Sequence, residues 1–441
     1  MAIGLLIVGL LIGAAVTYIA APSIVGGVTK TVGGVTTTVT GASSGVCNGG
    51  TYSIGLLTDL TGDLKAQGIN TQTSVQMAVD GLNNYTKGIG CNATFDVKTQ
   101  DYASDPSKTP AAAQALHNAG VQVAVGPLDS ASIEAILGYV NTNHIVLISP
   151  SSTAFGFALP NDYLFRTVPS DFWQGKADAA ELVDRGIQAI IVINRIGIYA
   201  DGLANSTIVN FQAVGGHTVD HIRYNAATTN DFTSQLSTLA SDWTSATTTY
   251  GAAHVAVYAV SFEEIDQLFL QAASEQPTLV KGPHNGGPLW VGSDGTSQDT
   301  VISGNATAGP IVARVELPST VFSPPNSTKF AAFQTAFVAK TGQQPTIYQT
   351  GGYDDAWLAG LSILAAGKYD GAGIQAALTP VASNYYGVLG STTLDANGDI
   401  NAFPGYAIYR VDIVSGTPVW VLAGEWSVNT GKITWVSGEA P

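Results

Sequence analysis

From Thr51 onward the chain alternates short apolar runs with amphipathic stretches of helical length, and this alternation constrains the fold more than any other feature. "YSIGLL" (52–57) leads through a polar loop into "TQTSVQMAVDGLNNY" (71–85). There follow "TFDVKTQ" (94–100), "PAAAQALHNAG" (110–120), "VQVAVGP" (121–127), "SIEAILGYVNTN" (132–143) and "IVLISPS" (145–151). After "LFRTVPSD" (164–171) the pattern resumes, with helical stretches over 172–186, 200–216, 231–243 and 262–274. Between and after them come strand-like runs at 189–195, 218–224, 254–260 and 288–295. Strands alternating with helices predict parallel sheets covered on both faces. Repetition on both sides of 164–171 predicts two doubly wound α/β lobes. Ligands of such sheets bind beyond the carboxyl ends of the strands, where helix N-termini present N–H groups. The polar clusters "GPLDSAS", "ISPSST" and "VGSDG" fall at those ends.

Charge excludes several functions. The 441 residues carry 17 Lys and Arg against 32 Asp and Glu, a net charge of −15. Nucleic acid needs clustered cations, which this chain lacks, and anionic lipid headgroups need the same. Ser, Thr and Gly stand where surface charge would be, which suits an acidic external medium. Catalytic signatures are also missing: no G-x-S-x-G, H-E-x-x-H or C-x-x-C occurs, and "GLSILAAGK" (360–368) has the wrong spacing for a phosphate loop. Of the histidines only His217 and His221 have helix-ligand spacing, and "HTVDH" reads as a strand. The expectation is a chain that is no enzyme and holds neither metal nor cofactor.

The N-terminus points to the cell surface. Residues 3–21 are apolar without a charge, about the length that spans a hydrocarbon core. Neither a basic leader nor an A-x-A cleavage site stands out, so residues 1–22 are expected as a retained transmembrane anchor or uncleaved signal, with the bulk outside the cell. "VGGVTKTVGGVTTTV" (25–39) repeats with a period of seven, its valines spaced three and four. That spacing suits either a Gly/Thr-rich tether or a helical stalk joining several chains through residues 1–39. Cys47 and Cys91 each precede a strand-like run; parallel neighbours would bring them within disulfide reach, and otherwise they are two unpaired thiols. Asn84, Asn92, Asn205, Asn305 and Asn326 begin N-x-[ST] sequons that an exported chain permits to be glycosylated.

Eight segments occur in a recognisable order: "IGLLTDLTGDLKAQG", "DYASDPSKTPAAAQAL", "VAVGPLDSASIEAI", "IVLISPSST", "LFRTVPSD", "DFTSQLSTL", "YQTGGYDDAWLA" and "LDANGDI". In that order they resemble the branched-chain amino acid binding proteins, type I periplasmic binding proteins that serve ABC importers. The resemblance runs from about Thr51 to the C-terminus. It implies two lobes joined by a hinge crossed near Val168, Leu317 and Asn401, and closing on a ligand. The first lobe would comprise 51–168 plus 318–401 and the second 169–317 plus 402–441, with 23–50 as the linker or stalk.

By the same resemblance, Ser130 and Thr153 hold the place of an α-carboxylate clamp. Ser151 would offer its carbonyl to an α-ammonium, and Asp294 stands where the family keeps an acid for that ammonium. Tyr199, Phe262 and Tyr348 fall at or beside wall positions. Gln67 and Ser261 replace tyrosines of the branched-chain binders, and Asp129 adds a negative charge beside Ser130. Plainer readings stand beside these: Ser130 and Thr153 as helix caps, Asp294 as turn chemistry, Tyr353 and Trp357 as packing, and "DANGD" (395–399) as a hairpin turn rather than a calcium loop. The leading expectation is an anchored extracytoplasmic receptor that hands a small-molecule, amino-acid-like ligand to an ABC permease. The alternative is a surface structural or filament-forming protein that reuses the fold with its N-terminal helices bundled.

Overall fold

The computed structural model describes residues 28–32, 35–39, 45–323 and 327–440, so the apolar segment 1–22 and Asn326 lie outside the described residues. Among the described residues no helix is long and apolar enough to cross a membrane. Strands β1 (Val28–Val32) and β2 (Val35–Val39) pair antiparallel, Val28 opposite Val39 and Val32 opposite Val35. Two segments of the seven-residue repeat, 28–32 and 35–39, therefore pair with each other as strands, setting valine opposite valine across the ladder.

The first lobe is built from β3 (Gly50–Thr58), α1 (Lys65–Gly88), β4 (Ala93–Asp101), α2 (Thr109–Asn118), β5 (Val123–Val125), α3 (Ser130–Asn143), β6 (Val146–Ser149) and β7 (Leu164–Arg166). Its strands form one parallel sheet in the order β4-β3-β5-β6-β7. Leu56, Val125 and Ile148 face one helical layer and Leu57, Ala124 and Leu147 the other. Burial on both faces explains why these strands read as unbroken apolar runs.

The second lobe begins with α4 (Asp171–Asp184) and continues through β8 (Ala189–Arg195), α5 (Ile198–Ala213), β9 (His217–Tyr224), α6 (Thr233–Tyr250), β10 (Val255–Val260), α7 (Ile265–Glu275) and β11 (Leu289–Val291). Its parallel order is β11-β10-β8-β9. After α8 (Thr300–Gly304) and α9 (Gly309–Val315), β12 (Ser319–Ser323) bridges to Gly292 beside β11. Helices α10 (Thr328–Thr341), α11 (Ile347–Ala366) and α12 (Gly371–Ala382) follow, and the buried residues of α11 and α12 join the first lobe's core. The short strands β13 (Tyr386–Gly387) and β14 (Gly390–Ser391) pair with each other, and β15 (Gly405–Val414), β16 (Thr417–Ser427) and β17 (Ile433–Trp435) complete an antiparallel sheet with β12. β12 pairs antiparallel with β15, Ser319 opposite Tyr409 and Ser323 opposite Gly405.

Several local readings resolve here. Tyr353 packs on Phe333 (4.9 Å) and Trp357 on Tyr85 (6.1 Å) inside the helical layer. Asp395 Oδ1 accepts the N–H groups of Asn397 (2.8 Å) and Asp399 (3.1 Å), closing a hairpin whose flanks Leu394 and Ile400 bridge antiparallel. His217 and His221 both lie on β9. Among the sequons, Asn305 is already engaged: its Nδ2 donates to Asp266 (2.9 Å) and its Oδ1 accepts from Thr307 and Ala308 (both 3.0 Å). A glycan on that nitrogen would break the arrangement, whereas Asn84, Asn92 and Asn205 are exposed.

Cys47 and Cys91 form a disulfide across a sequence separation of 44. Val46, 1% exposed, already belongs to the first lobe's core, so residues 45–50 are lobe rather than linker. Closing a loop of that length restrains the unfolded chain, and removing the bond from a Cys47→Ala/Cys91→Ala variant should destabilise the first lobe by about 2–4 kcal/mol. A denaturation midpoint equal to the parent's would refute this.

Candidate functional site

The two sheets point their carboxyl ends at each other across a cavity of about 50 Å3. Two close backbone approaches shape its first-lobe wall. At the end of β5, Gly126 has φ +90°, and a Cβ there would sit 2.1 Å from the Leu57 carbonyl oxygen, so only glycine makes the turn. At the start of α1 a Cβ on Gly68 would lie 1.9 Å from the Asp59 carbonyl. That approach brings Leu64, Gln67 and Thr71, one face of α1, to the cavity.

The loop after Gly126 carries Leu128, Asp129 and Ser130 to the wall. Asp129 is the N-cap of α3, its Oδ1 accepting from the Ser132 N–H at 2.9 Å. The charge beside Ser130 is thus partly engaged by the helix terminus, although its other oxygen is buried without a partner. Since Asp129 caps the helix, Ser130 does not. Its hydroxyl instead meets Ser152 Oγ at 2.8 Å. Ser151 donates to the Leu128 carbonyl at 2.6 Å and Ser149 to the Pro127 carbonyl at 2.8 Å, stapling the loops after β5 and β6 together. Thr153 does not reach the lining. It is buried behind it, its carbonyl accepting the Asp171 N–H at 2.9 Å and its side chain lowering the Asp171 carboxyl. It caps no helix either, since α4 is capped by Ser170.

The second-lobe wall centres on Asp294, and it exceeds turn chemistry. One carboxylate oxygen accepts from Tyr199 Oη at 2.6 Å and the other from Tyr348 Oη, which reaches over from the first turn of α11. Tyr199 Oη also accepts the Gly295 N–H at 3.1 Å and meets Ser293 Oγ at 3.0 Å. Phe262 stacks on Tyr199 with centroids 5.4 Å apart at 11°, and its other side carries the Arg195 guanidinium at 4.1 Å. Ser261 is buried with an unpartnered hydroxyl and is not part of the lining.

Electrostatically the cavity is two-ended. The first lobe offers the first turn of α3, serine hydroxyls and the Asp129 carboxylate that caps the helix, one oxygen of which is unpartnered. The second offers Asp294, whose carboxyl burial pushes up while the two tyrosine hydroxyls pull it back. Asp171 lies close enough to feel it: its own burial raises it first and Asp294 next, while Thr153 and Arg166 pull it back. No Lys, Arg or His lines this cavity. Two buried acids side by side form a place that a cation would stabilise.

Burial raises carboxyls elsewhere too: Asp59 to about 7, Asp178 to about 8, Glu263 to about 8 and Asp266 to about 7. Folded, these groups keep protons that the unfolded chain releases near pH 4, so stability falls as pH rises from about 4 to about 8. Carboxyls held low, such as Asp231 at about 2 through Thr233 and Gln271, act oppositely and withdraw their stability only below about pH 4. The melting temperature should therefore peak in mildly acidic buffer and be higher at pH 5 than at pH 8. A scan with its maximum at or above pH 7 would refute this.

Of the residues singled out in the sequence, Gln67, Ser130, Ser151, Tyr199, Phe262, Asp294 and Tyr348 line one cavity, and Thr153 sits behind it. Sequence reasoning missed Leu64, Thr71, Leu128 and Gly295. The first two had a signal, since Leu64, Gln67 and Thr71 are spaced three and four, one face of a helix. Leu128 and Gly295 flank singled-out residues and line the cavity from loops, where no periodicity marks them.

Comparison with known proteins agrees with this architecture. A family model described as a periplasmic binding protein matches residues 51–262. The chain is 28% identical over 395 residues to an uncharacterized protein of Methanocaldococcus jannaschii, covering 87% of this chain and 91% of that one. It is 25% identical over 367 residues to the leucine-, isoleucine-, valine-, threonine-, and alanine-binding protein of Pseudomonas aeruginosa, covering 82% and 90%. Two solved structures share the fold. One is a leucine binding protein from Thermotoga maritima (TM-score 0.68, 21% identity, covering 84% of this chain and 97% of that one). The other is a branched-chain amino acid transporter substrate binding protein from Streptococcus pneumoniae in complex with isoleucine (TM-score 0.66, 23% identity, 85% and 100%).

Proposed function

This chain belongs to the type I periplasmic binding proteins of the branched-chain amino acid binding family, solute-binding proteins and not enzymes, and from that premise we propose that it captures an amino acid or similar small polar solute between its lobes for an ABC importer. The observation that carries the reading is the pairing across the cleft. Ser130, in the first turn of α3 that Asp129 caps, stands on one lobe and Asp294, held by Tyr199 and Tyr348, on the other. A zwitterion needs donors at its carboxylate and a carboxylate at its ammonium. Because the two ends are served by different lobes, a bound ligand favours their closure, which is how binding would become a signal to a permease. Residues 1–22, in this reading, tether the receptor to the outer face of the membrane.

Ligand that binds only the folded state raises its stability, by about 2.7 kcal/mol at a hundredfold excess over Kd. Thermal unfolding of the full chain with each standard amino acid in turn should give a clear rise with at least one. An unchanged melting temperature across the set would overturn the receptor reading.

A further inference from the structure

The first-lobe wall of the cavity contains a hydrogen-bond donor whose orientation the fold dictates. Thr346 and Gln349 form a capping box at the start of α11. In that box the backbone N–H of Thr346 donates to the Gln349 side chain at 2.9 Å. A backbone N–H can only donate, so the atom it meets is the Gln349 carbonyl oxygen, and the Gln349 NH2 is turned the other way. That NH2 donates to Gln67 at 3.3 Å, and the Thr346 hydroxyl approaches the same Gln67 atom at 3.3 Å. The Gln67 atom receiving them is therefore its Oε1, which fixes the flip of the second carboxamide from the first. What remains is the Gln67 NH2, with two donors and no acceptor among the described residues, on a side chain that lines the cavity.

The geometry points to a ligand whose side chain carries a neutral hydrogen-bond acceptor, a hydroxyl or carboxamide oxygen, in place of the bare hydrocarbon of leucine, isoleucine or valine. This rests on the amino-acid-receptor reading above and narrows it. Three further features agree. The cavity is small, about 50 Å3, which suits a small side chain. No cation lines it, so an acidic side chain would be buried without a counter-charge. A hydrocarbon against Gln67 would leave two donors dry, a penalty that an apolar wall would not impose.

Isosteric pairs test this without any variant. Calorimetric titration of the full chain should show threonine binding at least about tenfold more tightly than valine, because a site built to meet an oxygen discriminates against the analogue lacking it. Gln67→Leu should bring that ratio close to one or invert it, with the fold checked by circular dichroism. Valine binding as tightly as threonine to the parent protein, or a ratio unchanged by Gln67→Leu, would overturn the inference and leave the receptor reading standing. Silence from every amino acid would remove both.

Discussion

Asp294→Asn is expected to lower affinity for an amino-acid ligand by roughly 30-fold to several thousand-fold, the 2–5 kcal/mol lost when one partner of a buried hydrogen-bonded charge pair is neutralised. The substitution keeps the shape and one of the two acceptor positions, so Tyr199 and Tyr348 stay close to where they are. Folding should not suffer. Burial already disfavours the Asp294 charge, and that charge raises Asp171 beside it, so a neutral amide relieves repulsion in the free protein. Unchanged or raised thermal stability with collapsed affinity is the signature of a group held for a cation. An ammonium entering beside these acids also lowers their proton affinity, so binding should release protons. Binding enthalpy should then depend on the buffer's ionisation heat, and Asp294→Asn should reduce that dependence. Equal affinity in the variant would show that the ligand carries no cation there, whatever else it is.

How legible this was depended on which physical signal each feature leaves in a single chain. The two parallel sheets were plain because strands covered on both faces must be apolar at every position, as 189–193 and 255–260 are. Return points of the chain were less so. Ser319–Ser323 reads like any other apolar strand, and its pairing with β15 leaves no mark in the sequence. The 25–39 repeat was ambiguous because a spacing of three and four in valine satisfies a helical seam, while valine and threonine are also the residues strands prefer; the pairing of 28–32 with 35–39 is seen only with both strands in view. In the site, the polar clusters after the strands announced themselves as loop ends, but the partners that define their chemistry come from far away. Tyr348 is 54 residues from Asp294, and the capping box that orients Gln67 is about 280 residues away, from 279 for Thr346 to 282 for Gln349. Thr153, placed in the clamp by resemblance to the family, is buried behind the lining.

Arg166→Met should be the most damaging single change to the fold, and it should reach the site as well. Its guanidinium is fully buried and makes a bidentate pair with Asp399, both contacts at 2.6 Å. Its remaining nitrogen donates to the carbonyls of Ala154 at 2.7 Å and, more weakly, Ser152 at 3.3 Å. One side chain therefore ties β7, the returning segment at 395–400 and the loop that carries Ser151 and Thr153. Burial pushes the Asp399 carboxyl up and Arg166 pulls it down, so removing the arginine leaves a buried acid that must take up a proton or stay uncompensated. Breaking such a pair from one side costs about 3–5 kcal/mol. Replacing both partners, in Arg166→Met/Asp399→Leu, removes the stranded charge and should recover much of that loss, an interaction energy that a double-mutant cycle reads directly. The carbonyls of Ser152 and Ala154 still lack their donor in the double variant. Its stability should therefore return further than its affinity, because the loop beside the carboxylate subsite is no longer anchored. Full recovery of ligand affinity together with stability would mean that Arg166 serves the fold alone and has no part in positioning the site.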